Sequence, residues 1–217
     1  MLSMPSIRFS MPYQSGHLEF VRPADPDAIL DSMTDEEYDK DKMLPYWPEQ
    51  WPASFAMFNF MAGRGADAIP VDAWVVELGS GLGIVASVCA RKGIRCVATD
   101  ISIDACRFSR HNILLHEQKA FVICADWRHA CLRPAIECVI ASDIIYERRW
   151  IAPVLRFLNS TLSPGGTAFI ADPCRQWWEE FKTCAYQAGF ASSLAWEEYV
   201  NEGKTRVEIL RFARRRD

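Results

Sequence analysis

A strand that runs straight into a glycine-rich turn constrains this chain more than any other feature: Val75-Val76-Glu77-Leu78-Gly79-Ser80-Gly81-Leu82-Gly83-Ile84. Glycine tolerates the positive φ of such a turn and lets a ligand approach bare backbone. When a helix follows, its first N–H groups point at that ligand. The spacing then narrows the ligand class. A dinucleotide pyrophosphate is met by the pattern GxGxxG, whereas the glycines here are Gly79, Gly81 and Gly83, and Ile84 fills the place of the missing one. Glu77 precedes the first glycine by two residues. A carboxylate there repels a pyrophosphate and suits the ammonium group of a methionine moiety. Asp100 ends the next apolar run, where a carboxylate can accept two hydrogen bonds from a ribose diol.

Beyond residue 74 short apolar runs alternate with helical stretches. The runs Trp74–Leu78, Arg95–Thr99, Phe121–Ala125, Cys138–Ser142 and Thr167–Ala171 read as strands, and helices are predicted over about 84–92, 103–116, 147–162 and 175–188. Strands apolar on both faces and separated by helices form a parallel sheet covered on both sides. Ser193–Val200 and Arg206–Phe212 flank the turn signal Asn201-Glu202-Gly203, which predicts an antiparallel hairpin closing that sheet. The expected fold class is α/β, doubly wound.

A chain of 217 residues fits one large domain, able to bury about 70% of its unfolded surface. The net charge of −4 leaves no basic footprint, so no nucleic-acid partner is expected. The cysteines fall at 89, 96, 106, 124, 131, 138, 174 and 184 with no CxxC pair, several inside apolar runs. Free thiols in a reducing compartment follow. His17, His111, His116 and His129 lack ligand spacing, and no metal is expected. No run suits a signal peptide or a membrane span. A soluble, cytoplasmic monomer is the expectation.

Residues 1–43 differ in composition from 44–217 and are read as an N-terminal arm and helix beside the main domain. The first half of this zone reads as a solvated arm, Arg22 to Asp27 as a turn, and Asp31 to Glu37 as a capped, acidic helix start. Then Leu44-Pro45-Tyr46-Trp47-Pro48-Glu49-Gln50-Trp51-Pro52-Ala53 makes a stiff, aromatic, non-helical strap, because each proline fixes φ and biases its predecessor toward extension. Pro52 suits the first turn of a helix through Met61.

Together, Glu77, the three glycines, Asp100 and the final hairpin resemble the seven-stranded, Rossmann-like methyltransferases that use S-adenosylmethionine (SAM). The resemblance spans about residues 44–213 and implies SAM as cofactor. It implies that Asp126 meets the adenine amine and that Trp127 covers the ring. The fourth strand ends in Ser142-Asp143-Ile144-Ile145-Tyr146. Enzymes acting on base amines carry Asn/Asp-Pro-Pro-Tyr there. The Asp-x-x-Tyr form, with Trp51-Pro52-Ala53 upstream, looks like the family-16-like protein lysine methyltransferases, a group that also holds predicted nicotinamide N-methyltransferases. By that resemblance Trp51 and Ser142 touch the cofactor, Asp143 and Tyr146 line the acceptor pocket, and Tyr46 and Trp47 cover it. Asp143 also suits an N-cap of the following helix. In the loop Asp172–Trp178 one indole, assigned to Trp177, faces substrate and the other is core. Arg211, Arg214, Arg215 and Arg216 read as a solvated strand end.

A lysine acceptor of pKa about 10.4 is neutral in about one molecule in 2,500 at neutral pH, a handicap of about 4.6 kcal/mol. Asp143 alone would favour the charged amine and worsen this. Desolvation by Tyr46, Tyr146 and Trp177 would counter it. A pyridine-type nitrogen needs no deprotonation, so a small-molecule acceptor stays the alternative to a partner protein's lysine. An NAD-dependent oxidoreductase would need a glycine at 84, and a non-catalytic SAM-binding module is disfavoured because Glu77, Asp100, Asp143 and Tyr146 are all intact.

Overall fold

The computed structural model describes every residue except 1, 3, 42, 117, 118, 120, 130–134, 216 and 217. Cys131 and Arg216 therefore lie outside the described residues. The chain opens with strands β1 (Ser6–Tyr13) and β2 (Gly16–Pro23), followed by helices α1 (Pro26–Asp31) and α2 (Asp35–Asp41). After the strap come α3 (Pro52–Ala62), the short α4 (Arg64–Asp67), β3 (Trp74–Leu78), α5 (Ile84–Arg91), β4 (Arg95–Asp100), α6 (Ile103–Leu114) and β5 (Phe121–Cys124). The rest is β6 (Ile136–Ser142), a 3-10 turn at Arg148–Trp150, α7 (Ile151–Thr161), β7 (Leu162–Asp172), α8 (Trp178–Gln187), β8 (Phe190–Val200) and β9 (Thr205–Arg214).

Seven strands form one sheet in the order β5-β4-β3-β6-β7-β9-β8. Pairs from β5 through β7 are parallel, while β9 is antiparallel to both β7 and β8. The alternation expected of strands buried on both faces is explicit. Val75, Cys138, Ile140, Phe169 and Ala171 face one core with α3 and α5, and Val76, Leu78, Val139, Ala141, Ala168 and Ile170 face the other with α7 and α8. By the same period Glu77 falls on the α5 side. The connections from β3 go to β4 on one side, while β6 lies on the other, so the strand order reverses between β3 and β6. In open α/β sheets ligands bind at that reversal, beyond the carboxyl ends of the strands.

The N-terminal zone differs from its sequence reading. Residues 6–23 are not a solvated arm but a two-stranded antiparallel sheet, separate from the large one. Met11, Tyr13, Leu18, Phe20 and Val21 are buried in the core that also holds α3 and α5. Phe20 meets Phe58 edge-on at 6.2 Å. The stretch read as a turn already holds a helix, since α1 begins at Pro26 with the Asp25 carboxylate accepting from the Ala28 N–H. α2 begins at Asp35, within the acidic helix start.

Candidate active site

A cavity of about 490 Å³ opens at the strand-order reversal, between the strap on one side and the carboxyl ends of β3, β4 and β6 on the other. Its floor is the glycine turn. Gly83 has φ 73°, and a Cβ there would stand 2.4 Å from Ser109 Oγ and 2.6 Å from Ser109 Cα on α6. Only glycine allows both the left-handed backbone and that approach. Gly83 therefore packs the turn onto α6, while Gly79, Ser80, Gly81 and Leu82 line the cavity. At Gly81, φ 49°, the strap comes close from above, with Trp47 O 3.1 Å from an added Cβ.

Acidic groups brace this end. Glu77 is 3% exposed, and its Oε2 has no hydrogen-bond partner among the described residues. Burial pushes its pKa up to about 8, with the Asp100 charge adding and a hydrogen bond from the Ala86 backbone opposing. Asp100 accepts at 2.9 Å from the Gly81 N–H through one oxygen and at 2.9 Å from the Ser102 N–H through the other. Burial raises its pKa too, against those backbone donors. Trp127 lines the cavity beside Gly79 and meets Trp150 edge-on at 6.0 Å. Asp126 does not join it. Desolvation pushes that carboxyl up, but Arg128 overrides it and holds the pKa below its ordinary value. The Arg128 N–H and Nε donate to Asp126 at 2.8 and 2.7 Å. Those bonds fix the acid beside the cavity, at a small neighbouring hollow with Ile101 and Trp150, rather than on its wall. The local Asp-x-Arg turn wins over an orientation toward the ligand.

The other end is aromatic. Tyr46 stands edge-on to Tyr146 at 5.3 Å and to Trp51 at 5.8 Å, and the Trp51 Nε1–H donates to the Tyr46 carbonyl at 2.9 Å. Burial, reinforced by the Glu147 charge, raises the Tyr146 phenol above its usual range. Asp143 sits in the left-handed region at φ 59°. Its Oδ2 accepts at 2.8 Å from the Ala53 N–H, and Arg175 Nη1 lies 2.6 Å from Oδ1 in an ion pair not aligned as a hydrogen bond. Burial lifts the Asp143 pKa to about 6, with Arg175 and the Ala53 N–H opposing. Asp143 thus caps α3 from 90 residues away instead of the helix that follows it.

Two tryptophans depart from their sequence assignments. Trp47 is held by Phe108 at 5.4 Å and lies over the glycine turn, so it belongs to the floor end more than to the aromatic end. Trp177 is absent from the cavity wall and packs against the second core. Trp178 is the fully buried indole, donating to Glu208 at 2.8 Å. The side chain that the loop sends into the cavity is Arg175, 5.4 Å from the Trp51 ring. Its backbone N–H donates to Asp172 at 2.7 Å, and Cys174 takes a left-handed φ of 57° to turn the chain there.

A family model described as lysine methyltransferase matches residues 49–180, more than half of the chain. The chain belongs to this lysine methyltransferase family. No curated protein matches the sequence. Among solved structures, the enzyme is similar to the T. Thermophilus 16S rRNA methyltransferase RsmC in complex with AdoMet and guanosine, with TM-score 0.67 and 16% identity over 97% of this chain and 51% of that one. It is also similar to the Synechocystis magnesium protoporphyrin IX methyltransferase with bound SAM, with TM-score 0.60 and 14% identity over 88% and 97%. A third is the TehB-like SAM-dependent methyltransferase of Corynebacterium glutamicum, with TM-score 0.58 and 16% identity over 70% and 86%.

This lysine methyltransferase family member is a SAM-dependent enzyme of Rossmann-like fold, with a mostly parallel seven-stranded sheet. The cavity fits that cofactor chemically. Glu77 Oε2, Ser80 Oγ, Ser142 Oγ and Trp127 Nε1 are buried polar atoms without partners among the described residues, and all belong to residues of the cavity wall. Buried polar groups of this kind are normally paired, so a polar, cationic ligand accounts for them. Arg175 escaped the sequence reading because nothing local marks one arginine in a loop as pointing inward. Its position two residues past Asp172-Pro173 is the signal that was available.

Proposed function

We propose that this methyltransferase modifies a lysine side chain of a partner protein, with the amine entering between Tyr46, Trp51 and Tyr146. The cofactor half of the reading rests on the floor. Glu77 takes the methionine ammonium, Asp100 the ribose hydroxyls, Gly79 and Gly81 give backbone access, and Trp127 and Ser142 border the nucleoside and methionine. Trp51 closes the strap over it. When bound, SAM supplies a methyl group on a positively charged sulfur.

The observation that carries the acceptor half is the neutralised carboxylate. An unpaired Asp143 would hold an incoming lysine as ammonium, which has no lone pair to attack with. Arg175 at 2.6 Å offsets that charge, and the aromatic rings strip water from the amine. Both effects favour the neutral nucleophile. Asp143 then orients the amine and Tyr146 packs against its methylenes, while the proton leaves to water. The family's description points to the same acceptor class.

The Arg175–Asp143 pair also gives a second reading, a pyridine-type small molecule, because it leaves no net anion to attract a cation. Incubating the enzyme with methyl-labelled SAM and a lysate of its host separates the two. Label on protein lysines is expected. Label confined to small molecules would replace the first reading by the second.

A further inference from the structure

Asn112, on α6, is completely buried and ties together segments that are distant in sequence. Its Oδ1 accepts from the Val21 N–H at 2.7 Å, and its Nδ2 donates to the Val21 carbonyl at 2.8 Å. The second Nδ2 bond goes to the Leu82 carbonyl at 2.8 Å. Both amide donors are therefore used. Toward Val21 the side chain behaves as the peptide of a neighbouring strand would, giving and taking one bond at the same residue. It occupies the outer edge of β2, whose inner edge pairs with β1 through Arg8. Toward Leu82 it holds the peptide that joins the cavity-lining part of the glycine turn to Gly83.

We propose that Asn112 is a positioning residue for the cofactor, through which the β1–β2 hairpin holds the glycine turn in its binding geometry. The other anchors of the turn are the Gly81 N–H on Asp100, the Ser80 N–H on the Thr99 carbonyl, the Gly83 N–H on the Ser80 carbonyl, and the Ser87 N–H and hydroxyl on the Gly83 carbonyl. None of these fixes the Leu82 carbonyl. Leu82 is 2% exposed, so without Asn112 that carbonyl would be left without a partner among the described residues, and the peptide would rotate to find one. Gly83, with its free φ, is the residue that permits such rotation. The hairpin is the far anchor. Phe20 is fully buried and Met11 2% exposed, so the inward face of β1 and β2 is packed into the core. They lie outside residues 49–180, so the hairpin adds a support beyond the part that matches the family. Coupling of this kind is reciprocal: a hairpin that favours the bound turn must itself be stabilised when the turn is bound.

The test uses the full chain with SAM or S-adenosylhomocysteine as probe. Hydrogen exchange on the wild type should show the hairpin amides, Val21 included, slowing severalfold or more on ligand addition. Asn112→Ala should weaken SAM at least tenfold and abolish the ligand's effect on hairpin exchange. Val207→Ala, at a fully buried position near the start of β9, is the stability control: it should lower Tm by as much or more and leave SAM affinity unchanged. A folded Asn112→Ala protein that binds SAM within twofold of wild type would overturn the proposal. So would wild-type hairpin exchange that ignores the ligand, a result that decides the matter even if the variant does not fold.

Discussion

The Asp143 carboxylate accepts a hydrogen bond at 2.8 Å from the Ala53 backbone N–H, joining the end of β6 to the start of α3. A helix leaves its first N–H groups unpaired, and here Pro52 has none while Trp51 supplies no side-chain cap. Asp143 fills that gap. Its other oxygen holds Arg175. One residue thus fixes the strap-to-helix junction, holds the Arg175 side chain of the loop after β7 and sets the charge of the aromatic end of the cavity.

Asp143→Ala is expected to keep SAM binding and lose most methyl transfer. It leaves the Ala53 N–H and the Arg175 guanidinium unpaired, at a cost of about 1–3 kcal/mol in stability. Asp143→Asn separates the roles, since asparagine tolerates the left-handed backbone and can still accept from Ala53. The asparagine variant should melt near wild type yet transfer poorly. Normal turnover at saturating SAM with weakened SAM affinity would move Asp143 to the cofactor side.

Asp100→Ala should weaken SAM more than tenfold. The substitution removes a charged acceptor worth about 1.5–3 kcal/mol to a ribose hydroxyl and also frees the Gly81 and Ser102 N–H groups. Calorimetry on the folded variant checks it. An unchanged dissociation constant would confine Asp100 to bracing the turn.

The acidic cluster gives a signed pH dependence. Burial lifts Glu77 from the usual 4.5 to about 8, Asp143 from 3.8 to about 6 and Asp172 from 3.8 to about 7. A carboxyl whose folded pKa is raised contributes stability that is fully present below its unfolded pKa and is lost as pH rises through the folded value. The ligand-free enzyme should therefore melt progressively lower from about pH 4.5 to about pH 8. Within that window each acid that stays protonated in the fold while the unfolded chain has ionised lowers stability as pH rises. SAM binding should reverse this at the upper end, because its ammonium pairs with ionised Glu77. Near neutrality that binding should release a proton, visible as a dependence of calorimetric heat on buffer ionisation enthalpy. Heats that are equal in all buffers would detach Glu77 from the ammonium.

The parallel sheet was readable because its strands are buried on both faces: β3 was placed residue for residue, and the other parallel strands within a few residues except for the early start of β7. The hairpin β1–β2 was not, although Phe9, Met11 and Tyr13 alternate with polar or small neighbours. Pro12 interrupts the pattern because proline cannot donate to a ladder, yet among the described residues β1 is an edge strand paired with β2, and proline is tolerated there. In the site, Glu77, the turn and Asp100 share the cavity wall because their spacing is local. Asp126 and Trp177 lie off that wall because a neighbouring arginine and the second core decide where they point, and neither is visible in a motif. Arg175 and Asn112 act across the fold, on Asp143 and on Val21 and Leu82, so only the folded chain reveals them.

Arg175 gives the sharpest separation between the acceptor classes. Replacing it with glutamine leaves Asp143 as an uncompensated anion at the aromatic end of the cavity. The loop itself should persist, because its anchor is the Arg175 backbone N–H on Asp172, which a substitution retains. A lysine amine facing that anion gains stability as ammonium and must lose its proton at higher pH. The rate of a lysine methyltransferase climbs with pH until the bound amine's pKa is passed. For Arg175→Gln that climb should continue to higher pH than in wild type, by about one pH unit for one opposite charge at close range. Labelled methyl incorporation into host protein, followed across the alkaline range, reads the difference; without Arg175, burial lifts the Asp143 carboxyl further, so the free anion forms only at higher pH. A pyridine-type acceptor has its lone pair free throughout, so its profile should keep its position and change only in height. Protein labelling whose pH profile is unmoved by the substitution would mean that Arg175 only shapes the loop.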